Sequence, residues 1–240
     1  MLKHPATFTK PAPRGYPAAC PQNHASHTYR GARELESTAM LYYALSKQGK
    51  RMQNIEHLEI LTDRLRLKVL GPDFADRSLD YYTRNHNFLR EWNPTPTVDF
   101  YTLSYHQERL QAELGLMQEG RLARFWLFKR EDAAFTTAIG NLAFNNIVRG
   151  AFQSCHLGYQ LDEREINQGF MTEALRCAIA FAFDQLMLHR IEANVMPRNL
   201  RSSRVLAKLG FAEEGLARQY LKINGVWEDH IHFVLLNDNI

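Results

Sequence analysis

Arg164-Glu-Ile-Asn167-Gln168-Gly169-Phe170-Met171-Thr172-Glu-Ala-Leu175 is the stretch on which the fold of this chain turns. Ahead of it, His156 to Leu161 is rich in apolar and aromatic residues and ends at Asp162-Glu-Arg, the pattern of a strand running into a turn. Behind it, Met171, Leu175, Ala178, Ile179, Ala182 and Leu186 recur at helical spacing for about four turns. The segment therefore reads as strand, short polar loop and long amphipathic helix, with Asn167-Gln168-Gly169 at the junction. Such a junction turns free backbone N–H groups and the positive end of the helix dipole toward one point. That is an anion site, and phosphate is its usual guest. The loop is neither GxGxxG nor GxxxxGK[ST], which disfavours nicotinamide cofactors and ATP. A lone glycine between strand and helix is also ordinary α/β architecture, so the reading needs a second match.

Composition sets the frame. The chain has 240 residues, 45% of them hydrophobic, enough for one sizeable core. Its three cysteines, Cys20, Cys155 and Cys177, form no closed disulfide set and no zinc spacing, which points to a reducing cytoplasm. No apolar run is long enough to span a membrane. The net charge of +3 hides an asymmetry: residues 1–51 carry eight Lys/Arg against two Glu, so the remainder is net negative. A nucleic-acid reading of the whole domain from its basic balance, specific DNA binding included, does not follow.

Residues 1–30 hold five prolines and no periodicity, and 33–47 carry a marginal helical pattern. Residues 1–51 therefore read as a disordered basic extension, dispensable to the domain, with upstream sequence taken in by an early start codon as one origin. The alternative is a basic arm on ribosomal RNA. From residue 52 to 240 strand and helix patterns alternate in one domain. Thr62–Val69 alternates as a half-buried strand, Pro72–Tyr82 and Asn87–Trp92 read as helical, and Thr97–Gln118 as a longer helix. Ala123–Phe128, Thr137–Phe144 and Phe152–Leu161 make an antiparallel meander. After the central helix come a strand at His189–Met196, a helix near Leu200–Leu209, and strands Gly215–Ile223 and Glu228–Leu236 joined by the hairpin signal Asn224-Gly225. The expectation is a single α/β (α+β) domain with a mixed sheet.

The second match is Asn194-Val-Met-Pro-Arg-Asn199-Leu-Arg-Ser202-Ser203, followed by Gly210-Phe211. Together with the Arg164–Gly169 loop it resembles the GNAT acetyltransferase superfamily. In that family the loop reads Gln/Arg-x-x-Gly-x-Gly/Ala; here Asn167 stands at the first glycine, and asparagine is the non-glycine residue that best tolerates positive φ. Asn146-Ile-Val-Arg-Gly-Ala-Phe152, Gln168 to Leu175, Leu188 to Pro197 and Gly225-Val-Trp-Glu-Asp-His230 resemble the RimJ branch, ribosomal-protein-alanine N-acetyltransferases. The resemblance covers roughly Glu59 to Leu236. It implies a mostly antiparallel sheet flanked by helices, acetyl-CoA as cosubstrate without a metal, and a cytoplasmic enzyme. Its implied partners are the N-terminus of a small-subunit ribosomal protein and, with it, the small ribosomal subunit.

The resemblance also assigns residues. Arg164, Asn167, Gln168, Gly169, Phe170, Met171 and Thr172 would hold the phosphates, Leu161 would offer a backbone N–H to the thioester oxygen, and Asn199 would lie by the pantetheine arm. Asn199 and Ser202 stand as catalytic candidates, Ser202 matching the serine that acts as general acid in RimL relatives. Both also suit a simple helix cap. The tyrosine acid common elsewhere falls on Leu206, and the RimL carboxylate base falls on Leu221, so neither is present. Glu192 and Asp229 are alternative bases, each more in keeping with a salt-bridge partner; for His230 the plain reading is a sheet histidine. Phe88, Trp92, Tyr82 and Tyr159 are candidates for an acceptor groove, although core positions suit each of them. Glu173 and Cys177 read as structural. Two other functions stay open: acetylation of a polyamine, aminoglycoside or amino acid, for which Asp80, Glu91 and Asp99 form no obvious acidic cluster, and a ribosome-assembly factor.

Overall fold

Strand β3 (Ala123–Lys129) shows why both faces of the sheet are covered. Phe125 and Leu127 enter one buried cluster, while Trp126 and Phe128 enter another, as period-two alternation requires when helices lie on both sides. The computed structural model describes residues 55–238, and the readings made for residues 1–51 lie outside it. Eight strands form one sheet in the order β1-β2-β3-β4-β5-β6-β8-β7, all neighbours antiparallel except β5 and β6. The other strands are β1 (Glu59–Leu61), β2 (Leu65–Lys68), β4 (Gly140–Val148), β5 (Ser154–Leu161), β6 (Arg190–Val195), β7 (Ala212–Ile223) and β8 (Val226–Leu236).

The helices are α1 (Ala75–Arg84), α2 (His86–Arg90), α3 (Leu103–Gln118), α4 (Phe170–Asp184) and α5 (Leu200–Lys208). The larger cluster packs α4, through Ala174, Leu175, Ala178 and Phe181, on Leu67, Phe125 and Leu157. The smaller one seats α1 and α2 on the opposite face through Tyr81, Tyr82 and Leu89, with Trp126 edge-on to both tyrosines. The expected mixed, mostly antiparallel sheet flanked by helices is what forms, as one domain. Among the described residues no helix is long and apolar enough to cross a membrane.

Boundaries differ in instructive places. The expected strand Thr62–Val69 is only Leu65–Lys68, because the Thr62 hydroxyl accepts the Leu65 N–H at 2.9 Å and closes a turn onto the unforeseen β1. Helix α3 starts at Leu103 rather than Thr97: Thr102 caps it, its hydroxyl accepting the Tyr105 N–H at 3.3 Å. The Asn224-Gly225 turn joins β7 to β8 with φ of 47° and 83°, the pair of positive values a type I′ hairpin demands.

Candidate active site

The parallel pair β5–β6 is short. It runs through Ser154/Arg190, Cys155/Ile191 and His156/Glu192 and then stops, although β5 continues to Leu161 and β6 to Val195. The strands part from there, each still paired on its outer side, to β4 and β8. Peptide groups of β5 that face β6 are thus left without a strand partner. The Gln153 carbonyl accepts the N–H groups of His189 and Arg190 at 2.8 and 3.1 Å, whereas the Asp162 N–H donates to Ile139 on the β4 side at 2.8 Å. Because peptide groups alternate sides along a strand, those of Leu157, Tyr159 and Leu161 face the gap. Leu161 is where an oxyanion donor was expected.

A cavity of about 500 Å³ occupies this gap. Its walls include Leu157 to Leu161 of β5, Ala193 to Val195 of β6 with Met196 just beyond, the loop and first turn of α4, and one side of α5. At one end Asn167 and Gly169 both take left-handed φ, 62° and 82°, so the asparagine does adopt the backbone of the glycine it replaces. Gly169 begins α4 without any side-chain cap, leaving the first-turn N–H groups of Phe170, Met171 and Thr172 free of intrahelical partners. Arg201, Arg204 and Lys208 add positive charge to the lining. Among the described residues that line the cavity there is no Asp or Glu. Free donors, a helix dipole and cations without a carboxylate fit a polyphosphate ester, so the site fits acetyl-CoA.

The loop is held from two sides. Asp162, almost fully buried, accepts the Arg164 N–H at 2.9 Å and the Arg84 Nε–H at 2.8 Å, with Asn85 also donating to it. Burial works against its charge, but these donors outweigh burial and hold its carboxyl below the usual carboxylate range. Glu173 anchors the other side. It accepts from the Thr62 hydroxyl (2.6 Å), the Arg64 N–H (2.8 Å) and Arg64 Nε (2.7 Å), which likewise outweigh burial and lower its pKa. The guanidinium so fixed donates to the Gln168 carbonyl at 3.0 Å and lies 4.5 Å from the centre of the Phe170 ring. Arg64 was missed in the sequence because it is brought to the loop only by the β2–α4 packing.

Of the expected binding residues, Leu161, Asn167, Gly169, Phe170, Met171, Thr172 and Asn199 line the cavity; Arg164 and Gln168 do not. Arg164 is exposed on the 3-10 turn Glu163–Glu165, and its carbonyl accepts from the Gln168 side chain at 3.1 Å. Asn199 and Ser202 both line the cavity and also form the cap: Asn199 Oδ1 accepts the Ser202 N–H at 3.2 Å. The Ser202 carbonyl accepts the Tyr159 hydroxyl at 3.1 Å, and burial pushes that phenol well up.

Of the groove candidates, Phe88, Trp92 and Tyr159 line the cavity, as do Leu89 and Asn93, Asn93 accepting from Gln160 at 2.8 Å. Tyr82 belongs to the core instead. Glu192 is engaged by Arg190 at 2.7 Å, and Asp229 accepts the Gln219 N–H at 2.8 Å, bracing a bulge in β7; neither lines the cavity. His230 does line it. Cys177 is buried in the hydrophobic interior, as expected.

A splayed parallel pair with an uncapped helix N-terminus at its open end defines the class, and comparison agrees. Residues 64–212 match the family described as acetyltransferase (GNAT) domain, and the chain belongs to that acetyltransferase family. It is 40% identical over 163 residues to the probable N-acetyltransferase YjcK of Bacillus subtilis, covering 68% of this chain and 88% of that protein. It is 38% identical over 178 residues to the [ribosomal protein uS5]-alanine N-acetyltransferase of Escherichia coli, covering 74% and 90%. The crystal structure of the ribosomal-protein-S5-alanine acetyltransferase from Vibrio fischeri superposes with a TM-score of 0.72 at 33% identity, covering 76% of this chain and 98% of that one.

Proposed function

We propose that this protein transfers the acetyl group of acetyl-CoA to the α-amine of an N-terminal alanine on a small-subunit ribosomal protein in the cytoplasm. The observation that carries the proposal is the cavity between β5 and β6, open to an anion-binding turn at one end and walled by Phe88, Leu89 and Trp92 at the other. The similarity to alanine-specific ribosomal-protein acetyltransferases supports the acceptor class. Bound acetyl-CoA supplies an activated carbonyl. The α4 turn and the cations of α5 would hold its phosphates, and the Leu161 N–H would stabilise the oxygen on which negative charge develops. Asn199 and Ser202, which line the same cavity, would offer the leaving sulfur a hydrogen bond. An α-amine has a pKa near ~8, so roughly a tenth is neutral at about pH 7 and a modest base suffices. The carboxylate-free lining speaks against a polyamine, whose several charges need acidic partners. Residues 1–51 are proposed to be dispensable for this reaction.

The test is thiol release from acetyl-CoA with peptides beginning Ala, Met or Ser, and with spermidine. Preference for the alanine peptide supports the assignment. Turnover of spermidine alone would leave the cofactor site standing and overturn the acceptor.

A further inference from the structure

Resting on that reaction, the cavity poses one further question: which group takes the proton from the attacking amine. Its titratable lining is short. Arg201, Arg204 and Lys208 are cations with no lone pair to offer at neutral pH, and the Tyr159 hydroxyl is spent on the Ser202 carbonyl. No carboxylate lines it among the described residues. His230 is what remains, and imidazole is the side chain suited to proton exchange near neutral pH.

Its geometry is specific. His230 is 5% exposed, on β8, and its Nδ1 lies 3.1 Å from the Glu228 carbonyl. A carbonyl has no proton to give, so Nδ1 carries the hydrogen and Nε2 keeps the lone pair. Among the described residues Nε2 has no hydrogen-bond partner. The ring is held by Tyr220 of β7, whose centroid is 5.4 Å away and which also packs on His232. Two carboxylates precede it on its own strand: Glu228 is paired with Arg198 at 2.8 Å, which also reaches Glu91 after α2, and Asp229 accepts the Gln219 N–H at 2.8 Å. Beside it on the lining stands Asn194, whose amide nitrogen donates to Tyr220 at 3.0 Å and whose buried Oδ1 has no partner; across the gap the buried Gln160 Oε1 is unpaired as well. Two residues with unpaired amide oxygens thus line the same cavity as one free imidazole nitrogen.

We propose that His230 is the general base, taking the proton of the acceptor amine on Nε2. Of the three hydrogens on the α-ammonium, one passes to Nε2 and then to solvent. The nitrogen lone pair forms the C–N bond, the C–S bond breaks, and a second hydrogen ends on the departing sulfur. The third stays on the new amide.

The test uses the full chain with whichever amine the wild type turns over best. His230→Gln lowers kcat about a hundredfold or more, leaves CoA affinity unchanged, and changes the acidic limb of the kcat–pH profile to one set by the acceptor amine alone. His230→Asn, whose amide can still reach the Glu228 carbonyl, gives the same loss with wild-type melting, separating chemistry from folding. Nitrogen NMR of histidine-labelled wild type at mildly alkaline pH shows the Nδ1–H tautomer. Retention of kcat within about threefold, a loss with the kcat–pH profile unchanged in shape, or an Nε2–H tautomer would overturn the proposal. Turnover of small amines but no alanine peptide would defeat the acceptor assignment while still judging His230 on those amines. With no turnover on any amine, the tautomer decides alone.

Discussion

Asn167 offers a quantitative test of the anion site, because its backbone and its side chain make different predictions. At φ 62° it occupies the left-handed region, which costs an ordinary L-residue about 1–2 kcal/mol and glycine nothing. Asn167→Ala should therefore cost about 1 kcal/mol, and Asn167→Gly close to none. If the loop stays left-handed in the alanine variant, the cost appears as a melting temperature lower by about 2–4 °C for a domain of this size. If the loop relaxes instead, the binding-competent conformer becomes scarcer and the CoA dissociation constant rises about fivefold, the equivalent of 1 kcal/mol. Thermal melting and calorimetric CoA titration of the two variants separate these outcomes. A glycine variant that binds CoA as poorly as the alanine variant would refute the reasoning, since it would make the side-chain amide, not the backbone, the element that matters.

Three further outcomes follow from the contacts. Glu173→Gln removes the charge that holds Arg64 against the α4 turn; stability should fall by about 1–3 kcal/mol in urea melts, and CoA affinity should fall with it. Because the Glu173 pKa is lowered in the fold, its contribution is present above the ordinary carboxylate range and disappears as pH falls below it. His106 is fully buried, bonded to Ser78 at 2.9 Å, and burial, aided by the Arg109 charge, lowers its pKa to about 4. The unfolded chain takes up that proton near pH 6.5, so the native state loses about 2 kcal/mol between about pH 7.5 and 5; urea melts of His106→Asn should lack this component. Trp92→Ala should raise the KM for the acceptor peptide several-fold and leave CoA binding intact, as steady-state kinetics and titration would show.

The sequence carried the strand–loop–helix of residues 156–184 because a period switch from two to 3.6 flanks one glycine, and it carried the 224–225 hairpin because two positive φ angles need Asn-Gly. It also carried the left-handed Asn167 and the caps at Asn199. What it did not carry depends on distance along the chain. Arg64 meets Gln168 and Glu173 across more than a hundred residues, and no local pattern encodes that meeting. Arg164, the cation written into the loop itself, turns to the outside. β1 is three residues long and has no room for alternation. His230 read as a plain sheet residue because only the parting of β5 from β6 opens the wall on which it stands.

The central claim is transfer of one acetyl group to an N-terminal alanine. Its most direct measurement is tandem mass spectrometry of small-subunit ribosomal proteins incubated with this protein and acetyl-CoA, compared with the same proteins incubated without it. The expected result is one new acetyl group, on the α-nitrogen of a chain beginning with alanine. Acetyl groups confined to lysine side chains, or to N-termini other than alanine, would contradict it.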